Sequence, residues 1–371
     1  MSDPLDLSAI IDIRMLRDSA SAYFGEAETI PALRRGRAAR DLVALARGAW
    51  DGMVALGLSG IVVPEAYGGT GLDFAASIHI AEMMGRTLAS GPFISSAIMA
   101  ATAIAGSDDE RLEAALLPRI VDGSVFALAV DETARHRPDA IATVARPENG
   151  AYRITGRKRA VIDGNIAETL IVAARVGDGL GLLIVPADAP GVTVKAGLGV
   201  DSRPAVEIGL ENALASDLLC GPARAAPLLD TVLDAGRLHL AAELLGLAQE
   251  AFDRTLDYLK TREQFGRKIG EFQALQHRAV LMFGALEIAR SVVYQASNAN
   301  GLRFAEQVSL AKAKLGEVAK HVTTEAVQLH GGIGVTDDFD MGLYLKRARA
   351  ASELLGDWAF HTERYAQIQG I

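Results

Sequence analysis

Between Ser124 and Pro222 the hydrophobic period of this chain switches from helical to extended, and this switch constrains the fold more than any other feature. The runs FALAV, IATVA, YRIT, TLIVAAR, LGLLIVP, VTV and VEIGL are short and rich in β-branched residues. They are separated by DE, PENG, GRK, DGN, GDG and APG. Strands punctuated by turn residues at this spacing predict a sheet or small barrel. On either side the period is helical. Leu240, Leu244, Leu247, Ala251, Thr255 and Tyr258 recur at steps of three and four, as do Met282, Leu286, Ala289, Val293 and Ala296. Val308, Ala311, Leu315, Val318 and Val322 make a third stripe. Each predicts a helix with one apolar face, and long helices joined by short connections predict a bundle. The segment before Asp122 predicts several helices interrupted by GLSGIVVPEAYGGTG. The expected class is α+β, with an N-terminal helical domain over 1–122, a middle β-barrel or sheet domain over 123–222 and a C-terminal four-helix bundle over 223–371.

Composition narrows the function classes. The chain has 371 residues, a net charge of -9, half its residues apolar and a single cysteine, Cys220. A net negative surface repels phosphate polyanions, so nucleic acid is not an expected partner. One cysteine forms neither an internal disulfide nor a thiolate metal site, which suits a reducing, cytoplasmic setting. The seven histidines show no metal-ligand spacing, and no metal is expected. The N-terminus shows no secretion pattern, and no run approaches about 18 uninterrupted apolar residues, so no membrane association is expected. Ser95 and Ser96 have no histidine nearby in sequence, so a nucleophilic triad is not supported.

The segment YLKTREQFGRKIGEFQALQH gathers Arg262, Arg267 and Lys268 at one helix end in an otherwise acidic chain. Guanidinium groups bind phosphate oxygens through paired, charge-assisted hydrogen bonds, although charged helix ends are more often simply solvated. TREQFGRKIGEFQ resembles the R-x-x-F-G-x-x-I-x-x-F-Q signature of the acyl-CoA dehydrogenase family. VQLHGGIGVTDD is similar to that family's Q-x-x-G-G-x-G segment, and VPEAYGGTGLD to its P-E-x-Y-G-G-x-G segment. The resemblance implies a FAD enzyme that removes two hydrogens across Cα–Cβ of an acyl-CoA thioester and passes electrons to an electron-transfer flavoprotein. It implies that Arg262 binds the FAD pyrophosphate of a neighbouring subunit, with Phe265 packing nearby. Gln273 and Gln328 become polar contacts to the cofactor, while Gly331, Gly332 and Gly334 let backbone approach it. Shared cofactor sites imply a dimer or tetramer with itself or a related subunit.

The chain also departs from the pattern. The family's T-E-P-x-x-G-S-D is replaced by AVDETARHRPD. Its K-x-W-I-T/S-N-G reads KRAVIDG, with Ala160, Val161 and Ile162 where the ring-stacking aromatic and the hydroxyl donor stand. The resemblance places the proton-abstracting glutamate at Gly236 or Gly356, both glycines. On the helix of Gly236, Glu243 lies seven residues on, about 20° away in azimuth. It sits in an apolar run, where an unpaired carboxylate is costly. Glu243 is therefore the candidate base, with an ion pair to a buried arginine as the competing reading. Asp357 is the alternative base, with helix N-capping as its competitor. Arg237 is assigned to the substrate. AAE followed by LLG resembles a smaller branch of the family that acts on bulky CoA thioesters such as sterol side chains and pairs unlike subunits. Two functions follow: an active dehydrogenase using Glu243, or a non-catalytic subunit that clamps FAD for a partner carrying the base. A flavin oxidase using O₂ is a third.

Overall fold

The computed structural model describes residues 7–371, beginning at helix α1 (Leu7–Glu26). The N-terminal helices continue as α2 (Thr29–Ala39), α3 (Leu42–Arg47), α4 (Trp50–Ala55) and α5 (Phe74–Thr87). A π-helical stretch, Phe93–Ala100, then runs into α6 (Ala101–Ala105), followed by α7 (Glu110–Val121). Aspartates cap several of these helices: Asp41, Asp73 and Asp109 each accept a backbone N–H of the first turn. The short carboxylate satisfies donors that have no partner within the helix.

The middle region is an eight-stranded sheet. Its strands are β1 (Phe126–Ala129), β2 (Val144–Glu148), β3 (Ala151–Lys158), β4 (Thr169–Val176), β5 (Gly179–Pro186), β6 (Val192–Leu198), β7 (Pro204–Ala215) and β8 (Asp217–Cys220). They run in the order β6-β7-β3-β2-β4-β5-β8, with β1 also pairing β4 in parallel. The unbroken apolar run LIVAA within TLIVAAR has its cause in β4, which is buried on both faces over these residues. Leu170, Val172 and Ala174 enter a core within the sheet domain, while Ile171 and Ala173 join the core shared with the helices. Successive side chains of a strand point to opposite faces, so both sets must be apolar. Strand β8 was not anticipated from the pattern.

The C-terminal region holds α8 (Ala225–Thr261), a hairpin of β9 (Glu263–Gln264) and β10 (Arg267–Lys268), α9 (Gln273–Ser297), α10 (Leu302–His330), α11 (Met341–Glu353) and α12 (Trp358–Gln369). The stripes on α9 and α10 lie where the spacing puts them, buried in the bundle. Helix α8 differs, because every residue from Val232 to Ala248 is buried rather than a single stripe. It is the central pillar, packed by α5, α9, α10 and α11.

The α5–α8 crossing positions the rest. A Cβ on Gly246 would lie 1.8 Å from the Glu82 carbonyl oxygen, and one on Gly85 would lie 2.1 Å from that of Glu243. The two backbones touch, and only glycine on each helix permits it. Helix α9 is long and apolar enough by composition to cross a membrane, yet Met282, Leu286, Ala289 and Val293 are buried against the bundle. Its outer side exposes Val280, Leu281, Phe283 and Ile288.

Candidate functional site

Two places carry chemistry. The first is the bundle end where α8 and α10 terminate. The Tyr258 and His330 rings stack at 4.5 Å, which ties the two helix ends together. Arg262 follows α8 directly and Gly331 follows α10, so the TREQFG and GGIG segments share this end. Phe265 and Gly266 form the two-residue hairpin turn, both with positive φ, at 56° and 77°. This turn suits the twist of the strands, but a phenylalanine there is in a disfavoured left-handed conformation. Phe265 is 91% exposed, and Ile333 and Val335 are exposed beside the glycine turn.

Arg262, Gln273, Gln328, Gly331 and Gly332 are all exposed. Arg262, Arg267 and Lys268 have no ion-pair partner among the described residues, although the Arg267 guanidinium lies over the Phe272 ring at 4.1 Å. This donor set fits an anionic phosphate group. The glycines have distinct reasons. Gly331 has φ +64° and ends α10, and Gly332 faces open space. Gly334 is buried, and a Cβ there would lie 2.5 Å from the Val327 carbonyl oxygen. Packing therefore demands glycine at 334, whatever the turn binds.

The second place is a cavity of about 270 Å³ where the three regions meet. Ile94, Leu240 and Leu354 give it apolar wall, and Asp163, Asp201, Arg203 and Glu243 line its polar side. Glu243 is 4% exposed and pairs with two arginines. Arg203 Nη1 donates to both of its carboxylate oxygens at 3.2 and 3.4 Å, and Arg347 Nη1 lies 3.5 Å away. Asp201 completes the cluster, 2.6 Å from Arg203 Nε and 3.1 Å from Arg347 Nε. Burial would raise the Asp201 carboxyl, but Arg203 and Arg347 outweigh it and hold it below its ordinary range. Two carboxylates and two guanidiniums balance, which is how a low-dielectric interior tolerates four charges. Arg203 Nη2 and Arg347 Nη2 are nevertheless buried without a hydrogen-bond partner. Each such donor costs about 1–3 kcal/mol.

The competing reading of Glu243 as an ion-paired group thus describes its contacts. Asp163 is the contrasting acid on this cavity. Its carboxylate accepts a 2.6 Å hydrogen bond from Ser95 Oγ. Burial pushes its carboxyl above the ordinary range, Glu243 adds to the rise, and Ser95, Arg203 and Arg347 only partly offset it. Asp163 sits at φ 57°, a conformation aspartate and asparagine tolerate best.

Both glycines expected at base positions are closed by neighbours. A Cβ on Gly236 would meet Met99 Sδ at 2.6 Å and Leu355 Cδ1 at 2.8 Å. One on Gly356, at φ +110°, would meet Phe360 at 2.5 Å and His361 at 2.7 Å. Matching glycine to glycine, LLGD against Y-E-G-T sets Leu355 rather than Gly356 in the glutamate's place, a one-residue correction that still supplies no carboxylate. Met99, Leu233 and Leu355 close what remains to a hole of about 20 Å³, room for one water.

Arg237 does not line the cavity. It is 1% exposed and spends its donors on Asp234 at 2.9 Å, the Leu355 carbonyl at 3.1 Å and His136 Nε2 at 2.8 Å. A substrate contact would have to displace one of these, so its assignment to the substrate finds no support in this geometry. Asp357 N-caps α12, accepting the Phe360 N–H at 2.8 Å, and borders a separate surface hollow. We expect Asp357→Ala to cost about 1 kcal/mol in urea unfolding and Asp357→Asn to stay within about 0.5 kcal/mol, as capping alone requires. Lys312, pulled down to about 7 chiefly by burial, holds the carbonyls of Ala351, Ser352 and Gly356 at 2.9–3.2 Å.

Sequence reasoning missed Asp163, Asp201, Arg203 and Arg347. One signal was available for Asp163: in KRAVIDG it replaces the asparagine of K-x-W-I-T/S-N-G with an acid. The β region offers little to an isoalloxazine ring. Val161 is buried in the sheet core, and Ala160 and Ile162 bring neither aromatic face nor hydroxyl.

An N-terminal helical domain, a central sheet and a helical bundle with an anion-ready end define a flavoprotein dehydrogenase architecture. The family model for the N-terminal domain of acyl-CoA dehydrogenases matches residues 12–124, and that for their C-terminal domain matches residues 227–368. The chain is 32% identical over 299 residues to a 3-(aryl)acrylate reductase of Clostridium sporogenes, covering 76% of this chain and 79% of that one. It is 31% identical over 314 residues to the probable acyl-CoA dehydrogenase YngJ of Bacillus subtilis, with 79% and 82% covered. A solved variant of the Tcur3481–Tcur3483 steroid ACAD superposes with a TM-score of 0.86 at 31% identity, covering 97% of this chain and 98% of that one. The chain belongs to the acyl-CoA dehydrogenase family of flavoprotein oxidoreductases.

Proposed function

We propose that this chain serves the FAD-dependent α,β-dehydrogenation of an acyl-CoA thioester, with electrons leaving to an electron-transfer flavoprotein, as the FAD-clamping member of an assembly with a related subunit. The observation that carries this reading is Arg262, without an ion-pair partner among the described residues, at a bundle end shared with the G-G-x-G turn. There Arg262 binds the FAD pyrophosphate, Gln273 and Gln328 add polar contacts, and Gly331 and Gly332 keep the approach open. The cofactor supplies hydride acceptance. Phe265 is covered by that partner, which answers its near-complete exposure.

The closed glycine positions and the doubly paired Glu243 leave the proton-abstracting carboxylate to the partner. A base has to turn an oxygen to the substrate, and Arg203 Nη1 on both oxygens of Glu243, with Arg347 beside it, holds this carboxylate in the ion-pair cluster. The self-sufficient reading, with Glu243 as base, draws support only from its place on the cavity wall.

The chain purified alone is expected to be nearly colourless and to acquire stoichiometric flavin on co-expression with the related subunit. Arg262→Ala in that complex should weaken flavin retention about ten- to hundredfold, the worth of a charge-assisted phosphate contact. Stoichiometric flavin on the lone chain that bleaches with an acyl-CoA, and loses that bleaching in Glu243→Gln, would establish the self-sufficient enzyme instead.

A further inference from the structure

The segment from Asp131 to Ala140 has no regular secondary structure, and its base is closed. Glu132 accepts the Ala142 and Thr143 N–H groups at 2.8 and 3.0 Å and the Lys158 ammonium at 2.7 Å. Beyond that base Thr133, Ala134, Arg135, Arg137 and Asp139 are exposed. His136 is the exception. Its side chain is 3% exposed and meets the Phe360 ring of α12 edge-on at 5.0 Å. Among the described residues, one hydrogen bond joins this segment to the helical bundle, from Arg237 Nη2 on α8 to His136 Nε2 at 2.8 Å. We propose that His136 is an acid-sensitive latch: with its ring neutral it fastens the 131–140 segment to α8, and protonation of Nε2 releases the segment.

The bonds themselves fix the ring. A guanidinium only donates, so Nε2 is the bare nitrogen, and the ring proton sits on Nδ1, donated to Asp131 Oδ2 at 2.7 Å. A second ring proton would set one N–H against another across 2.8 Å. Asp131 also accepts the Arg137 N–H at 3.0 Å, so the ring and its own segment move as one piece. The charged groups facing His136 pull both ways. Burial opposes the proton most, Asp131 favours it, and Arg237 on α8 and Lys312 on α10 oppose it, which leaves the ring below its ordinary range. From α12 comes the uncharged Phe360, with His361 behind it kept neutral by burial. A released, solvated ring takes its proton near about 6.5. The latch therefore holds fully above that pH, and each unit below it favours release by up to about tenfold, until the latched ring itself titrates. Release widens the hollow of about 1040 Å³ that this segment shares with Asp357, Glu363 and Gln367. The inference does not rest on the FAD-clamping role, since none of these residues belongs to the end where Arg262 lies.

The test is hydrogen exchange of the full chain, in its co-expressed complex if it purifies as one, at pH 7.5 and pH 5.0, with rates corrected for intrinsic exchange at each pH. Two amides report on the segment, because the Arg137 N–H is bonded to Asp131 and the Ala140 N–H to the Arg137 carbonyl. Their protection should fall about three- to thirtyfold at pH 5.0, the range that a depressed ring titration allows. Leu315 and Val318, buried on α10, should hold theirs. His136→Gln keeps an acceptor for Arg237 without a titrating ring, so its segment should change by less than about twofold between the two pH values. Unchanged protection of the wild-type segment overturns the latch. So does an equal loss across α10, which would be acid unfolding of the whole bundle, or an undiminished pH response in His136→Gln. If that variant does not fold, the wild-type comparison of segment with α10 decides alone. None of these outcomes bears on flavin retention by Arg262.

Discussion

Replacing Gly246 by valine is expected to unfold or severely destabilise this protein, with a loss of about 3 kcal/mol or more and a sharp fall in soluble yield. The reason is specific to the α5–α8 crossing. A Cβ at 246 would stand 1.8 Å from the backbone oxygen of Glu82, and a carbonyl fixed in a helix cannot swing aside as a flexible side chain can. The helices would have to separate, opening the core along the whole of the buried stretch Val232 to Ala248. Gly284 on α9 is the control. It is exposed and a Cβ there meets nothing within 4 Å, so Gly284→Ala should stabilise by up to about 1 kcal/mol through helix propensity. Thermal melts of the two variants beside the parent give the comparison. A Gly246→Val protein that melts within about 2 °C of the parent would show that the crossing is not as tight as this geometry requires.

The second large effect belongs to the cavity cluster. Arg347→Met should cost about 3–5 kcal/mol, because it leaves the buried Asp201 and Glu243 beside a single remaining guanidinium. Methionine retains much of the packing volume, so the loss reports charge more than shape. The double variant Arg347→Met with Glu243→Gln removes one charge of each sign. It should recover a large part of the deficit, since the remaining Asp201–Arg203 pair is balanced at 2.6 Å. Melting temperatures are the readout. An Arg347→Met cost below about 1 kcal/mol, or a double variant worse than the single by the full cost of Glu243→Gln, would mean that the four groups do not act as one unit.

How much of this was legible beforehand divides by sequence distance. The proposed bundle-end site sits in two short contiguous motifs, so Arg262, Phe265, Gln273 and the G-G-x-G glycines stand out through the family resemblance. Even there, one glycine was legible only as a motif letter: Gly334 is glycine because of the Val327 carbonyl beneath it. Asp357 shows a local rule winning, since an aspartate with extended backbone just before a helix accepts the N–H three residues on, as Asp357 does from Phe360. Arg237 shows the opposite, because beyond Asp234, three residues back on the same helix, its partners His136 and Leu355 come from distant parts of the chain.

The cavity was illegible for the same reason. Asp163 follows β3, Asp201 and Arg203 flank the turn into β7, Glu243 is on α8 and Arg347 on α11, and no periodicity links such positions. What the sequence by itself determined is the class: the change from helical to extended period and back, with its apolar stripes, dictates three regions and their order. Local hydrophobic pattern selects elements, because each must bury one face. Only the tertiary structure decided that Glu243 is clamped by two arginines, that the glycines at 236 and 356 are filled by neighbours, and that Asp163 faces a cavity. Those outcomes depend on which side chains occupy the same few cubic ångströms, and close packing settles that only once all three regions have come together.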